Sequence, residues 1–254
     1  MPWWLLAIAL IFVLGLWAII GDAGYAPIFR ALSGGMVTTL WVTAIAFSLA
    51  TLLGMLVALA RTSGNRVLRE IATFYTEIVR GIPVLVLLFY VAFVGAPALI
   101  GAANWLLAPI GGSVTIRQFD FAWRAILALV VAYSAFIAEI FRAGIEAVPV
   151  GQVEAARSLG LSRWACFRHI VFPQALRTIL PPLGNDFVSM IKDSALVSAL
   201  GVQDITQLGK VYSSGTFKFF ETYNVVAFLY LTMTISLSLL VRWLEHRLAV
   251  SDKR

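Results

Sequence analysis

The chain is short of cysteine, histidine and charged side chains. It has one cysteine and two histidines among 254 residues, and only 13% of its residues are Asp, Glu, Lys or Arg. The single cysteine, Cys166, excludes a disulfide within the chain and leaves no cysteine cluster for a metal. Because 61% of the residues are hydrophobic, an ordinary water-soluble domain is also excluded. We therefore expect an all-α integral membrane protein without a metal site.

Catalytic signatures are missing as well. The sequence has no H-E-x-x-H motif, and the stretch from Gly201 to Lys210 does not match the spacing of a phosphate-binding G-x-x-x-x-G-K loop. An intramembrane hydrolase would need a nucleophile and a base at membrane depth. His169, His246 and Cys166 all lie outside the apolar segments. We predict no catalytic residue and no cofactor in this chain. An intramembrane hydrolase and a passive membrane scaffold are kept as alternative functions.

Six apolar segments are long enough to cross a bilayer: 3–20, 36–60, 82–100, 121–141, 174–200 and 223–243. A net charge of +6 raises the question of nucleic acid, but the basic residues sit in short connections between these segments. If the first connection lies outside, the outside receives only Arg30, Arg117, Arg124, Lys210 and Lys218. The positive-inside rule then predicts six spans with both termini in the cytoplasm and no nucleic-acid partner.

The first segment also invites comparison with a secretory signal peptide. It has no Lys or Arg before its apolar run and no clear A-x-A cleavage site, so we expect a retained span. Residues 21–35 are predicted as a turn-rich connection in which Ser33 caps the next helix. That next segment carries small residues that favour close helix packing in lipid, namely Ala44, Ala46, Ser48, Ala50, Gly54 and Ala58.

Prolines are expected to interrupt two of the spans. Pro83 lies near the start of the third, and Pro181 with Pro182 lies inside the fifth. A proline removes a backbone donor, and lipid tolerates the freed carbonyl only where protein or a water-filled cavity receives it. A helix break in the fifth span therefore indicates a functional path.

Segment 149–173 (PVGQVEAARSLGLSRWACFRHIVFP) stands between the fourth and fifth spans. Pro149 suits a first helical position, Gly160 suits the residue after a helix end, and Ser162 can cap a second short helix that Pro173 stops. Val153, Ala156 and Leu159 form one apolar stripe. Ten residues of helix measure roughly 15 Å, too little to cross the bilayer. The segment must therefore present itself to a partner on one side, unless it is an amphipathic loop lying on lipid.

Glu154-Ala155-Ala156, Gly160 six residues after the glutamate, and Ile170-Val171-Phe172-Pro173 resemble the EAA loop of bacterial ABC importer permeases. The family usually has Ile-x-Leu-Pro at the end, so Phe172 is a small departure. In that family the loop contains the coupling helix, which inserts into a cleft of a cytoplasmic ATPase subunit. The resemblance assigns ATPase coupling to Val153, Glu154, Ala155, Ala156, Arg157, Leu159 and Gly160. We call residues 149–173 the coupling segment.

Three further elements resemble the polar amino-acid uptake branch of these permeases. They are YTEIVRGIP at 75–83, AEIFRAGI at 138–145, where Ala143 replaces a glycine, and NDFVSMIKDSALV at 185–197, where Ser194-Ala195 replaces Thr-Ser. The likeness covers 36–248. It implies a five-span type I ABC importer permease core with one extra N-terminal span. The expected division is 1–35 for the N-terminal span and periplasmic connection, 36–248 for the permease domain, and 249–254 for a cytoplasmic tail.

The same resemblance implies the partners. We expect two cytoplasmic ATP-binding subunits that hold ATP and Mg, and a second permease that is identical or paralogous. We further expect a periplasmic amino-acid-binding protein and a place in the bacterial inner membrane.

Charged residues inside a span are costly and indicate function. Asp186, Lys192 and Asp193 fall in the fifth span, where Asp186 and Asp193 are close to one helix face. An amino acid carries an ammonium and a carboxylate, and these side chains offer an acceptor and a donor. We predict that they line the solute path with Asn185, Ser189 and Ser194. A structural Lys–Asp pair that locks the helix is the competing interpretation.

Two acid–base pairs lie three residues apart near the cytoplasmic ends of spans: Glu77 with Arg80, and Glu139 with Arg142. That spacing permits an ion pair within a helix. We expect both pairs to support the membrane end of the coupling segment rather than to contact solute.

Overall fold

The computed structural model describes residues 3–22, 24–110, 112–117 and 119–250, and this part of the chain contains helices and connections without a strand. The helices are α1 Trp3–Gly21, α2 Tyr25–Arg61, α3 Arg66–Gly81, α4 Val84–Tyr90, α5 Ala96–Leu107, α6 Phe121–Glu146, α7 Val150–Ser158, α8 Arg163–Cys166, α9 Phe172–Asp193, α10 Ile205–Thr216 and α11 Phe219–Val250. Val91–Gly95 and Phe167–Val171 are π-helical, and Ala108–Ile110 and Ser194–Leu200 are 3₁₀ turns.

Four stretches are long and apolar enough to cross a membrane: Tyr25–Arg61, Val84–Leu107, Phe121–Glu146 and Phe219–Leu244. These correspond to four of the six predicted spans. α1 and α9 occupy the places of the first and fifth, and α1 packs on α11 through stacked Phe12 and Phe228 rings with centroids 5.5 Å apart. The count of six spans and the side of each terminus stay predictions, and residues 251–254 of the predicted tail lie outside the described residues.

The most extensive helix contact joins α2 to α6. Ala46, Ala50, Gly54 and Ala58 of α2 are buried at four-residue intervals, whereas Ala44 and Ser48 face outward. A Cβ added to Gly54 would lie 2.8 Å from Ile137 and 2.9 Å from the carbonyl oxygen of Ser134, so glycine sets the distance between the helices. The predicted small-residue packing is confirmed for one face of the helix.

Several predicted boundaries are wrong. α2 begins at Tyr25 rather than at 36, because buried Ile28 and Leu32 continue its packing face backwards, and the Ser33 hydroxyl donates to the carbonyl of Arg30 instead of capping a helix. α5 continues to Leu107 beyond the predicted end at 100, and α11 starts at Phe219. The break at Pro83 is confirmed, since α3 ends at Gly81 and α4 begins at Val84.

The predicted polar connection 201–222 contains a helix, α10. Asp204 caps it, accepting from the backbone N–H of Gln207 at 2.8 Å and from the Tyr230 hydroxyl at 3.0 Å. Burial raises the pKa of the Asp204 carboxyl, although these hydrogen bonds favour its charged form. α10 thereby connects α2 to α11 at the end of the molecule opposite α7.

We expect Gly35→Ala to loosen this connection. A Cβ at position 35 would lie 2.6 Å from the backbone nitrogen of Ile205, and the rigid backbone cannot yield as a side chain can. Overpacking of this kind costs about 1–3 kcal/mol. Denaturant unfolding in detergent measures the loss. Gly34→Ala is the matched control because nothing lies within 4 Å of its added Cβ, and equal stability of the two variants would contradict the prediction.

Candidate functional site

The coupling segment forms a helical protrusion in which local hydrogen bonds fix the turn between α7 and α8. Gly160 has φ +83, and its N–H donates to the carbonyl of Arg157 at 2.9 Å while the N–H of Leu161 donates to that of Ala156 at 3.1 Å. This pair of bonds is a Schellman motif, which favours glycine at the left-handed position. Ser162 then caps α8 by accepting from the N–H of Ala165 at 3.2 Å. The predicted roles of Gly160 and Ser162 in the backbone are confirmed.

Two other predictions about this segment are wrong. Pro149 lies at the N-cap of α7 with extended ψ, one position before the first helical residue. Pro173 does not stop the second helix, because α8, the π-helical turn Phe167–Val171 and α9 follow one another from Arg163 to Asp193. Pro173 stands in the first turn of α9, where its missing N–H and its ring are accommodated by the wider π turn before it.

The apolar stripe divides between two faces. Ala156 is 5% exposed and Val153 is half-buried, and both pack toward the membrane helices. Leu159 is 81% exposed and Val150 is 69% exposed, and both face away from this core. Glu154, Ala155, Arg157 and Gly160 are also exposed. The exposed face of α7 and the turn after it is therefore apolar with single charges of both signs. Val153 and Ala156 do not belong to this face but pack beneath it against the core.

A cluster of charged residues connects the C-terminal ends of α2 and α6, just before the coupling segment begins. Glu139 accepts from Arg61 at 2.6 Å and also pairs with Arg142, which pairs in turn with Glu146. The predicted pair of Glu139 and Arg142 is confirmed. Sequence analysis missed Arg61, which is distant in sequence, and Glu146, whose four-residue spacing from Arg142 was the available signal.

The predicted pair of Glu77 and Arg80 does not form. Glu77 is exposed without an ion pair in the described part of the chain, and the Arg80 guanidinium lies over the ring of Phe136, 5.6 Å from its centroid. The competing contact with an aromatic face on α6 explains the difference.

α9 is helical through Pro181 and Pro182, so the predicted break there is wrong. The two prolines still remove the N–H donors for the carbonyls of Arg177 and Thr178. Thr178, Pro182, Asn185 and Lys192 are exposed along one face, with Ser189 half-buried among them. The opposite face packs on α6 and α11.

The charged residues of α9 divide between these faces. Asp193 accepts from the Tyr133 hydroxyl of α6 at 2.7 Å, and one carboxylate oxygen of Asp186 is buried without a hydrogen-bond partner. Lys192 is exposed and forms no ion pair within the described residues, so the Lys–Asp lock does not form in this structure. Ser194 is fully buried and donates to the carbonyl of Ile191 at 2.7 Å, which removes it from the exposed face.

The chain thus has the architecture of a helical membrane permease with a helical protrusion on one side. A family model described as binding-protein-dependent transport system inner membrane component matches residues 50–250. The chain belongs to this family, whose members are integral inner-membrane subunits of transporters and not enzymes themselves.

Curated relatives agree with that assignment. The chain is 33% identical over 224 residues to the glutamine transport system permease protein of Escherichia coli (strain K12), covering 88% of this chain and 95% of that protein. It is 36% identical over 217 residues to a probable glutamine ABC transporter permease protein of Bacillus subtilis (strain 168), covering 85% of this chain and 93% of that one.

Solved structures place the fold among ABC importers. A crystal structure of an amino acid ABC transporter with histidines matches with a TM-score of 0.73 and 35% identity, covering 90% of this chain and 98% of that chain. Inward-facing MetNI, a methionine ABC transporter, matches with a TM-score of 0.67 at 19% identity over 87% of this chain and 98% of that one, which supports the fold alone. The predicted type I importer permease fold is confirmed.

The Schellman turn after α7 gives a direct test of the coupling segment. Gly160→Ala places a Cβ in a left-handed conformation, at a cost of about 1–2 kcal/mol. We expect the turn to shift and the stimulation of ATPase activity by the loaded binding protein to fall in the reconstituted transporter. Gly151→Ala is the matched control, because α7 has open space at Gly151 and alanine favours helix. Unchanged coupling in Gly160→Ala would contradict a mechanical role for the turn.

Proposed function

We propose that this chain is the permease subunit of an ATP-driven importer for a polar or charged amino acid. The relatives named for glutamine and the structural relative with histidines support this substrate class. The exposed apolar surface of α7 and the turn after it is the observation that carries the coupling part of the proposal. Leu159 and Val150 are large apolar side chains that are exposed outside the membrane helices, where neither lipid nor the protein core covers them. A protein partner would bury them.

The partner that fits this surface is a cytoplasmic ATP-binding subunit, two per transporter, which would hold ATP and Mg. A second permease, a copy or a paralogue, would complete the membrane part, and a periplasmic amino-acid-binding protein would contact the opposite end near 101–120 and 201–222. This orientation places both termini in the cytoplasm and makes α1 and α9 the first and fifth of six spans. Residues 1–35, 36–248 and 249–254 remain the proposed divisions, with α2 now starting inside the first.

Force would pass from α7 to the membrane helices by two routes. Val153 and Ala156 pack against the core, and the backbone continues as helix from Arg163 to Asp193. Closure of the ATP-binding subunits would draw the coupling segments of two permeases together, and α9 would move with its own segment. The exposed face of α9 would then switch from being accessible on one side of the membrane to being accessible on the other.

Crosslinking tests the docking face. Leu159→Cys, alkylated with a maleimide that carries a benzophenone, should form a photo-crosslinked adduct with an ATP-binding subunit in membranes, since Leu159 projects from the turn. Ala156→Cys is the matched control on the same segment, and its buried position should give no adduct. Both variants are made with Cys166→Ala, because the native Cys166 lines a pocket and could react with the thiol reagent. Equal crosslinking at both positions, or none at Leu159, would sink the assignment of the surface.

The solute path is proposed along the exposed face of α9. Asn185, Ser189 and Lys192 offer an amide, a hydroxyl and an ammonium, and the carboxyl groups of Asp186 and Asp193 lie on the adjacent, half-buried side. Tyr133 holds Asp193 from α6. Such a face can bind the carboxylate of an amino acid through Lys192 and its ammonium through a carboxylate.

Lys192→Ala should abolish uptake of labelled amino acid while the transporter still assembles. The ammonium has no structural ion pair to lose, so the expected defect is at least about tenfold in uptake with unchanged purification of the complex. Arg69→Ala removes one positive charge from an exposed position on α3, where no contact is proposed, and should transport normally. Normal uptake by Lys192→Ala would dispose of the proposed path, and loss of assembly would support a structural role instead.

A further inference from the structure

A pocket of about 360 Å³ lies between the coupling segment and the membrane helices. Leu59 and Thr62 at the end of α2, Ile145 at the end of α6, and Cys166 and Phe167 in the coupling segment line it. Arg157 of α7 and Arg163 of α8 complete the wall. The pocket therefore combines an apolar interior with two guanidinium groups.

The two arginines are not neutralised by the protein. No acidic residue lines the pocket, and neither arginine takes part in an ion pair within the described residues. At the end of α6, Glu139 and Glu146 pair with Arg61 and Arg142, and within the described residues the exposed Glu154 of α7 pairs with neither pocket arginine. A ligand with an anionic group and an apolar portion would satisfy both parts of the wall.

The position of the pocket indicates where such a ligand comes from. Two spans, Tyr25–Arg61 and Phe121–Glu146, end beside it, so it lies at the depth where hydrocarbon gives way to headgroups. A ladder of aromatic rings runs alongside: Trp164 stacks on Phe167 and Phe167 contacts Phe172, each with centroids 6.0 Å apart. Trp164 is largely exposed, as expected for a side chain in the membrane interface.

We propose that this pocket binds an anionic phospholipid of the cytoplasmic leaflet. Arg157 and Arg163 hold the phosphate, and the glycerol and upper methylenes contact Leu59, Ile145 and Phe167. An acidic surface of the ATP-binding subunit is the other source of negative charge. The lipid fits better, because the pocket is lined by the half-buried Val153 and lies on the membrane side of α7, away from exposed Glu154 and Leu159.

The proposal rests on the orientation proposed above, and its test requires neither uptake nor ATP. Cys166 is the single cysteine of the chain and lines the pocket, so it reports occupancy without an engineered label. The full chain is reconstituted in vesicles of phosphatidylcholine alone or of equal parts phosphatidylcholine and phosphatidylglycerol. The rate of Cys166 modification by uncharged N-ethylmaleimide is then followed by mass spectrometry.

We expect labelling roughly fivefold slower with phosphatidylglycerol, because bound lipid covers the thiol. The double variant Arg157→Gln with Arg163→Gln should label at one rate in both vesicles. Arg66→Gln with Arg69→Gln loses the same charge on α3 outside the pocket and should retain the wild-type difference.

Four results would overturn the proposal. Equal wild-type rates in the two vesicles mean that no anionic lipid occupies the pocket, and a difference that persists without Arg157 and Arg163 reflects the surface potential alone. Equal protection by inorganic phosphate in phosphatidylcholine vesicles indicates a site for a free anion. Protection that requires added ATP-binding subunits and ignores phosphatidylglycerol assigns the pocket to a protein contact.

Discussion

The close approach of α2 and α6 is the contact on which the remaining helices depend. Lipid provides no hydrophobic force between apolar helices, so their association relies on van der Waals contact at short range. The stripe of Ala46, Ala50, Gly54 and Ala58 permits that range. Arg61 and Glu139 then connect the same two helices at one end, where an ion pair fixes their relative rotation. α9 packs against α6, and α10 and α11 pack against α2, so each surface discussed above takes its position from this pair.

The second constraint concerns the two connections between the coupling segment and the membrane helices, which have to be rigid if the segment is to transmit motion. A coupling segment joined to the membrane by a flexible connection would absorb motion instead of passing it on. Here the first connection, between α6 and α7, is short and leads to Pro149, whose φ is fixed by its ring. The second keeps the backbone helical across Pro173, Pro181 and Pro182. The prolines therefore do not divide α9, and a continuous helix connects the protrusion to the polar face.

The sequence predicted features that depend on neighbours along the chain. Four of the six apolar segments, the left-handed Gly160, the cap at Ser162 and the pair of Glu139 with Arg142 follow from local rules, and the structure confirms them. Features that depend on distant contacts were not predicted. Tyr25 begins α2 because α10 and α11 pack on its first turns, and Arg80 stacks on the Phe136 ring of α6 instead of pairing with Glu77. The division of Val153, Ala156 and Leu159 between two faces likewise depends on the curve of the turn after α7, which periodicity does not include. The family was predicted from motifs and is confirmed by the family model and the curated relatives, whereas the functions of individual residues remain proposals.

The exposed face of α9 also bears on assembly. An ammonium group facing hydrocarbon is costly, and Lys192 forms no ion pair within the described residues to offset that cost. Thr178 and Asn185 are exposed on the same face as Lys192, so several polar groups lie on one side of one helix. Snorkelling toward a headgroup would satisfy the lysine alone. A water-filled path shared with a second permease would satisfy the whole face, and it would do so without a fixed ion pair that the solute must first displace. The solute path proposed along this face would use the same arrangement, because a zwitterion could bind and leave without first displacing an ion pair.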